Sequence, residues 1–138
     1  MINDIYSFID ANTSLSGGTN LFKARLSDKP DNQVVIYATG GIEPDRYLPT
    51  ADPTFQLYVR NLSYANGWDI CEELVQLLHQ RTNEELVVGG NYYYYIFLMN
   101  EPQHIGRDDK GRHEFSINFI CKVQRWKILD VQNVITYF

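Results

Sequence analysis

The sequence predicts an α+β fold in which one mostly antiparallel, five-stranded sheet carries two helices on one face, in the order α-β-β-β-α-β-β. Three observations predict it. Two segments repeat apolar residues at helical spacing, five others are rich in alternating apolar or β-branched residues, and turn-forming segments separate them. Because 138 residues is an ordinary domain length, we expect a single domain spanning residues 1–138.

The N-terminal part of the chain supplies one helix and a predicted hairpin. Apolar residues recur every three to four positions over residues 2–11, which predicts a short amphipathic helix. Residues 21–26 alternate, with Phe22, Ala24 and Leu26 on the expected buried face. The β-branched segment 34–38 is the predicted antiparallel partner of that strand.

The middle of the chain contains a predicted loop, a strand and the clearest helix. Residues 39–54 hold three prolines and a Gly-Gly pair, which predicts a long loop, and residues 55–60 alternate as a strand. From Tyr64 onward, apolar residues occupy one half of a helical cylinder and polar residues the other half. Either Ser63 or Asn66 can cap this helix.

The fourth predicted strand, residues 91–99, is apolar in both alternating phases. One phase holds Tyr93, Tyr95, Phe97 and Met99, and the other holds Tyr92, Tyr94, Ile96 and Leu98. A strand that is apolar on both faces must be covered on both faces, and two helices cover only one. Either the hydrophobic C-terminal segment or another subunit can cover the second face, and this excess of apolar sheet is the main indication that the protein acts in an assembly.

The C-terminal part contains the fifth predicted strand. The predicted loop 101–112 precedes it, and residues 115–123 alternate between an apolar and a polar face. Residues 126–138 fit helical and strand periods equally well, so their conformation stays open.

Composition excludes several classes of function. A net charge of −5 does not suit a protein that neutralises nucleic-acid phosphates. An aromatic share of 14%, including ten tyrosines, is typical of a protein that contacts other proteins. No segment has the length and hydrophobicity of a membrane span or a signal peptide, so we expect no membrane partner. Cys71 and Cys121 lie in apolar periodic segments and are predicted to be reduced core residues.

The only cluster of potentially catalytic side chains lies in the predicted loop 101–112 and just after it. His104, Asp108, Asp109 and His113 suggest a small metal-dependent hydrolase as one alternative function. Their spacing matches neither a two-histidine helix motif nor a calcium-binding loop, and no nucleophile or phosphate-binding motif is present. We therefore expect no catalytic, metal or cofactor site, and no enzyme.

An ordered set of segments resembles the tail-terminator proteins of long-tailed bacteriophages. After the N-terminal helix and hairpin come GGIEPDRYLP (residues 40–49), PTFQLYVR (53–60) running into the amphipathic helix, and EPQHIGRDDKGRHEFSINF (101–119). The resemblance spans nearly the whole chain and includes no catalytic signature.

The resemblance implies a structural role in the virion. Such proteins close into a hexameric ring on the head-proximal end of the tail tube, stop tube polymerisation and join the tail to the head connector. The implied partners are other copies of the chain, the tail tube protein and the connector protein. DNA would pass through without specific binding, and assembly would take place in the host bacterial cytoplasm. A head-completion or adaptor protein of the connector is the alternative.

We hypothesise that long charged loops and the second sheet face make the assembly contacts. Length and charge single out the loops 39–54 and 101–112. The candidate contact residues are Arg46, Tyr47, Tyr92, Tyr94, Arg107, Asp108, Asp109 and Arg112.

Overall fold

The computed structural model describes residues 1–125 and the backbone of residues 128–129 and 135–136. Its helices and strands are α1 (Ile2–Asn12), β1 (Leu21–Lys23), β2 (Gln33–Gly41), β3 (Thr50–Ala51), β4 (Pro53–Asn61), α2 (Tyr64–Leu78), β5 (Arg81–Glu85), β6 (Tyr92–Leu98), β7 (Gln103–Arg107), β8 (His113–Gln124), β9 (Ile128–Leu129) and β10 (Ile135–Thr136). Strands β9 and β10 form a separate antiparallel pair, and the rest of the segment 126–138 lies outside the described residues.

The main sheet has eight strands, not the five expected from the sequence. Its order is β1-β2-β4-β8-β6-β5, with β3 and β7 also paired to β8. The α+β class, the two helices and the mostly antiparallel pairing are confirmed. The additional strands β3, β5 and β7 are short and polar or lie among prolines, so no alternating apolar pattern marks them.

The predicted hairpin between the first two strands is wrong, because β1 runs parallel to β2 with Leu21 beside Val34. The first strand ends at Lys23, and Ala24 adopts a left-handed backbone conformation with φ of 61°. The chain then crosses back through residues 24–32 before β2 begins. Leu21 is buried and Leu26 is exposed. The prediction placed Leu26 on the buried face of this strand, so the predicted side of burial is also wrong.

Both predicted long loops contain strand segments. Strand β2 extends to Gly41, which pairs with Pro53 at the start of β4, so the first loop shrinks to residues 42–49. Strand β7 pairs with β8 from Gln103 opposite Ser116 to Arg107 opposite His113. Backbone pairing with a long neighbouring strand thus overrides the weak β-propensity of these segments.

The hydrophobic core lies between the helices and one face of the sheet. Ile5 and Ile9 of α1 and Cys71, Leu74 and Leu78 of α2 are completely buried against it. The second helix begins after Ser63, whose hydroxyl accepts a hydrogen bond from the Asn66 N–H at 3.2 Å, which decides between the two possible caps. The predicted amphipathic pattern of α2 is therefore confirmed.

A β-bulge in β6 changes which tyrosines face the core. The register against β8 shifts between Tyr93 and Tyr95, so Tyr94 is an extra residue. Tyr93 and Ile96 are buried on the helix side, whereas Tyr95 and Phe97 lie on the opposite face. The simple alternation expected for this strand is wrong for that reason.

The buried tyrosine of β6 also anchors the first helix. The Tyr93 hydroxyl donates to the Asp4 carboxylate at 2.8 Å, and Asp4 also accepts the Asn91 N–H at 3.1 Å. Burial and the neighbouring carboxylate raise the pKa of Tyr93 above its ordinary value of 10.0. Because Asp4 is itself buried, these two bonds satisfy a carboxylate that would otherwise be costly to desolvate.

Both cysteines are free thiols in the core, as predicted. Burial raises the pKa of Cys71, and likewise that of Cys121, from 9.0 to about 12. We expect the free energy of unfolding to fall by about 3 kcal/mol between pH 8 and pH 10, because unfolded thiols ionise over this range while folded thiols keep their protons.

Urea unfolding at pH 8, 9 and 10 measures this alkaline loss. The stabilisation that comes from keeping both thiols protonated is fully present below their pKa in the unfolded chain. It is lost as the pH rises towards their pKa in the folded protein. A variant with both Cys71→Ala and Cys121→Ala should show a much shallower pH dependence, whatever its stability at pH 8. Equal pH dependence in the two proteins would mean that the thiols are not its source.

Candidate assembly surface

Within residues 1–125, the sheet face opposite the helices is only partly covered by other parts of the chain. On this face Arg60, which is 2% exposed, binds the crossing segment 24–32. Its guanidinium donates to the carbonyl oxygens of Pro30 at 2.7 Å, Ser27 at 2.8 Å, Asp28 at 2.9 Å and, through Nε, Asp31 at 3.0 Å. This segment therefore covers one end of the face and leaves the other end open.

Aromatic side chains occupy the open end of this face. The rings of Tyr95 and Phe97 stack with centroids 5.0 Å apart, and 38% of Phe97 remains exposed. Ile120, which pairs with Phe97 across the strands, is half-buried on the same face. We call these three side chains the aromatic face. Such a solvated apolar patch is typical of a protein contact surface.

Tyr92 and Tyr94 flank the aromatic face at the bulged end of β6. Their rings meet edge to face at 5.1 Å, and both side chains are half-buried. The Tyr92 hydroxyl lies 3.4 Å from Asn83 Oδ1, and the Tyr94 hydroxyl donates to Gln124 Oε1 at 3.2 Å. Because these contacts hold the hydroxyls in place, the two rings can present apolar surface to a partner protein at little entropic cost.

The loop 42–49 projects a second apolar group into solvent. Tyr47 is 86% exposed, and Ile42 and Leu48 are also exposed. The Asp45 carboxylate accepts the N–H groups of Tyr47 at 2.8 Å and Leu48 at 2.9 Å, and these bonds lower the pKa of Asp45. Arg46 pairs with Glu43 at 2.8 Å on the loop surface. Local bonds therefore fix the loop in a shape that exposes Tyr47.

The turn between β7 and β8 divides its charged residues into inward and outward groups. Arg112 is 4% exposed and binds the Asp108 carboxylate at 2.8 Å, the Asp28 carbonyl at 2.6 Å and the Asp31 carboxylate at 3.2 Å. Arg107 and Asp109 are exposed. Two of the four candidate contact residues in this turn are thus engaged within the chain, where they tie the turn to the segment 24–32.

The four residues considered for a metal-dependent hydrolase do not converge. His104 and His113 meet, with Nε2 and Nδ1 3.1 Å apart, but Asp108 binds Arg112 and Asp109 points into solvent. Within residues 1–125, no group of three or more His, Cys, Asp or Glu side chains surrounds a common point. No helix in the described part of the chain has the length and apolar content needed to span a membrane.

Sequence reasoning found some of the exposed groups and missed others. It singled out Tyr47, Tyr92 and Tyr94, all of which lie on or beside the surface described above. It missed the exposure of Phe97, because a one-residue bulge places that ring on the opposite face from Tyr93, with which simple alternation groups it. Nothing in the run of apolar residues marks where such a bulge occurs.

Comparisons with known proteins bear on the fold and the family. A family model described as "Bacteriophage tail terminator protein" matches residues 3–125. A solved chain from the "Virion of native gene transfer agent (GTA) particle" superposes with a TM-score of 0.60, at 11% sequence identity, over 87% of this chain and 84% of that chain. No curated protein matches this sequence. At that identity the structural likeness shows a shared fold.

Proposed function

Because the chain belongs to the bacteriophage tail terminator family, we propose that its copies close into a hexameric ring on the head-proximal end of the tail tube. The ring ends tube polymerisation and joins the tail to the head connector. Its partners are other copies of the chain, the tail tube protein and the connector protein. The role is structural, without catalysis.

One observation supports ring formation most directly: the chain exposes two different apolar surfaces. The aromatic face lies on the sheet, and Tyr47 lies at the tip of a separate loop. A closed ring needs heterologous contacts, in which one patch of each subunit meets a different patch of the next. Two unlike surfaces on one chain satisfy that requirement, whereas a single self-complementary patch would favour a dimer.

The candidate contact residues then have distinct roles. Tyr47 is an aromatic anchor with Arg46 at its rim, and Tyr92 and Tyr94 form the edge of the aromatic face. Arg107 and Asp109 are the exposed charges of the β7–β8 turn and select the partner. Arg112 and Asp108 act indirectly, because their ion pair sets the shape of that turn.

The acidic balance suits a ring through which DNA passes. With a net charge of −5, the chain lacks the excess of Lys and Arg that retains phosphates. A lumen built from such subunits lets the genome pass without specific binding. The assembled protein resides in the virion after assembly in the host bacterial cytoplasm.

Size-exclusion chromatography with light scattering over a concentration series tests ring formation. We expect a species of six times the 16.1 kDa chain mass at high protein concentration. Tyr47→Ala should raise the concentration needed for this species at least about tenfold, because a central aromatic anchor contributes about 2 kcal/mol or more. Val88→Ala, at a fully exposed apolar residue of the β5–β6 turn, is the matched control.

Electron microscopy of particles that lack the protein separates the terminator from a head-completion or adaptor protein. Over-long, unjoined tails are expected for a terminator. Filled heads that leak DNA, with tails of normal length, would contradict the proposal and favour a head-completion protein.

A further inference from the structure

Two of the three histidines of the chain meet at the outer end of the sheet, next to the start of α2. His104 lies in β7 and pairs with Phe115, and His113 begins β8 two residues earlier. The two side chains are thus diagonal neighbours on adjacent antiparallel strands, within reach of each other. Their facing nitrogens, Nε2 of His104 and Nδ1 of His113, are 3.1 Å apart.

Aromatic rings hold both imidazoles in place. The Tyr64 ring lies edge-on to both, with centroid distances of 5.1 Å to His104 and 5.4 Å to His113. The Phe115 ring supports His104 from the core side at 5.1 Å. Both histidines are half-buried and Tyr64 is 50% exposed, so the pair is ordered and still reachable from solvent.

The side-chain nitrogens of His104 and His113 make few hydrogen bonds to the described part of the chain. Among the described residues, each of these histidines makes a side-chain hydrogen bond only to the other. His79 differs, because its Nδ1 accepts the Leu98 N–H at 2.9 Å and so supports the end of α2. The His104–His113 pair is therefore not required to satisfy any backbone group.

The separation of the two nitrogens matches the spacing of two ligands on one transition-metal ion. Metal–imidazole bonds of about 2.0–2.1 Å at angles between square and tetrahedral place two nitrogens about 2.9–3.4 Å apart. The observed 3.1 Å lies within this range. We infer that His104 and His113 bind one divalent transition cation of the Zn²⁺, Ni²⁺ or Cu²⁺ class, with water in its remaining positions.

The chemistry of the site selects this class of cation. Imidazole suits Zn²⁺, Ni²⁺ and Cu²⁺, whereas Mg²⁺ and Ca²⁺ require oxygen ligands. No carboxylate or thiolate of the described residues joins the pair, so the open positions remain for water or a group from a partner. The bound cation connects β7 to β8 just before the turn that carries Arg107 and Asp109, and stiffens that turn.

Calorimetric titration of the full chain, free of any polyhistidine tag, with ZnCl₂, NiCl₂ and MgCl₂ tests the site. We expect one Zn²⁺ or Ni²⁺ per chain, a rise in Tm with either ion, and no binding of Mg²⁺. His104→Ala and His113→Ala should each weaken Zn²⁺ binding by more than about tenfold, since even indirect partners of a ligand contribute about 10- to 100-fold.

His79→Ala is the matched control, because His79 is the third histidine of the chain and lies outside the pair. It should keep full affinity for Zn²⁺. Each variant's Zn²⁺-induced change in Tm is compared with its own metal-free Tm, so a change in stability does not obscure the result. Absence of stoichiometric binding by the wild type, or equal affinity in His104→Ala and His113→Ala, would overturn the inference without affecting the proposed ring.

Discussion

Phe97→Asp is expected to abolish ring formation at concentrations where the wild-type chain assembles. The Phe97 ring is 38% exposed on the aromatic face, stacked on Tyr95 and opposite Ile120. A neighbouring subunit that covers this face would bury the new carboxylate without a partner, at a cost of several kcal/mol. The concentration needed for assembly should rise at least about 100-fold, as followed by light scattering.

Val88→Asp is the control for the charge itself. Val88 is fully exposed in the β5–β6 turn and is not one of the side chains of the aromatic face, so the same charge there should leave assembly unchanged. Circular dichroism and urea unfolding verify that Phe97→Asp keeps the monomer fold, as its partial exposure predicts. If the Phe97→Asp chain forms rings at the wild-type concentration, the aromatic face is not an interface.

Arg60→Ala is expected to lower the free energy of unfolding by about 3 kcal/mol or more. The buried guanidinium donates to four carbonyl oxygens of the segment 24–32, and bonds from a charged donor contribute about 1.5–3 kcal/mol each when measured singly. Their loss leaves backbone carbonyls unsatisfied and removes the support of the covered end of the sheet face. Urea unfolding measures the change.

Hydrogen exchange distinguishes local from global effects of this substitution. Residues 24–32 should lose protection first, because Arg60 holds that segment to the sheet. Arg46→Ala is the matched control for stability, since Arg46 pairs with Glu43 on the surface and such pairs contribute about 0–1 kcal/mol. A loss of less than 1 kcal/mol for Arg60→Ala would show that this network adds little.

The helices were predictable because their stability depends on local pattern. In α2 the apolar half of the cylinder matches the buried side, and the polar residue Ser63 precedes the helix as its cap. Strands β4 and β8 were predictable for the same reason, since Phe55 and Leu57 alternate with polar residues. Their antiparallel register aligns Phe55 with Phe119.

The assembly surface was predictable only where it depends on composition. The length and charge of the loop 39–54 singled out Tyr47 as a candidate contact residue, and Tyr47 is 86% exposed. Arg112 shows the limit of this reasoning. Its charge suggests a surface contact, yet it is buried because Asp28 and Asp31 of a distant segment meet it together with Asp108 of its own turn.

By itself, the sequence determined the α+β class, the two amphipathic helices and the buried thiols, because each depends on the composition and periodicity of a contiguous segment. The tertiary structure decided the parallel pairing of β1, the bulge in β6, the short strands paired with β8 and the meeting of His104 with His113. These features depend on register and on contacts between residues far apart in the chain. Local periodicity does not encode them, because a shift of one residue reverses every side chain of a strand.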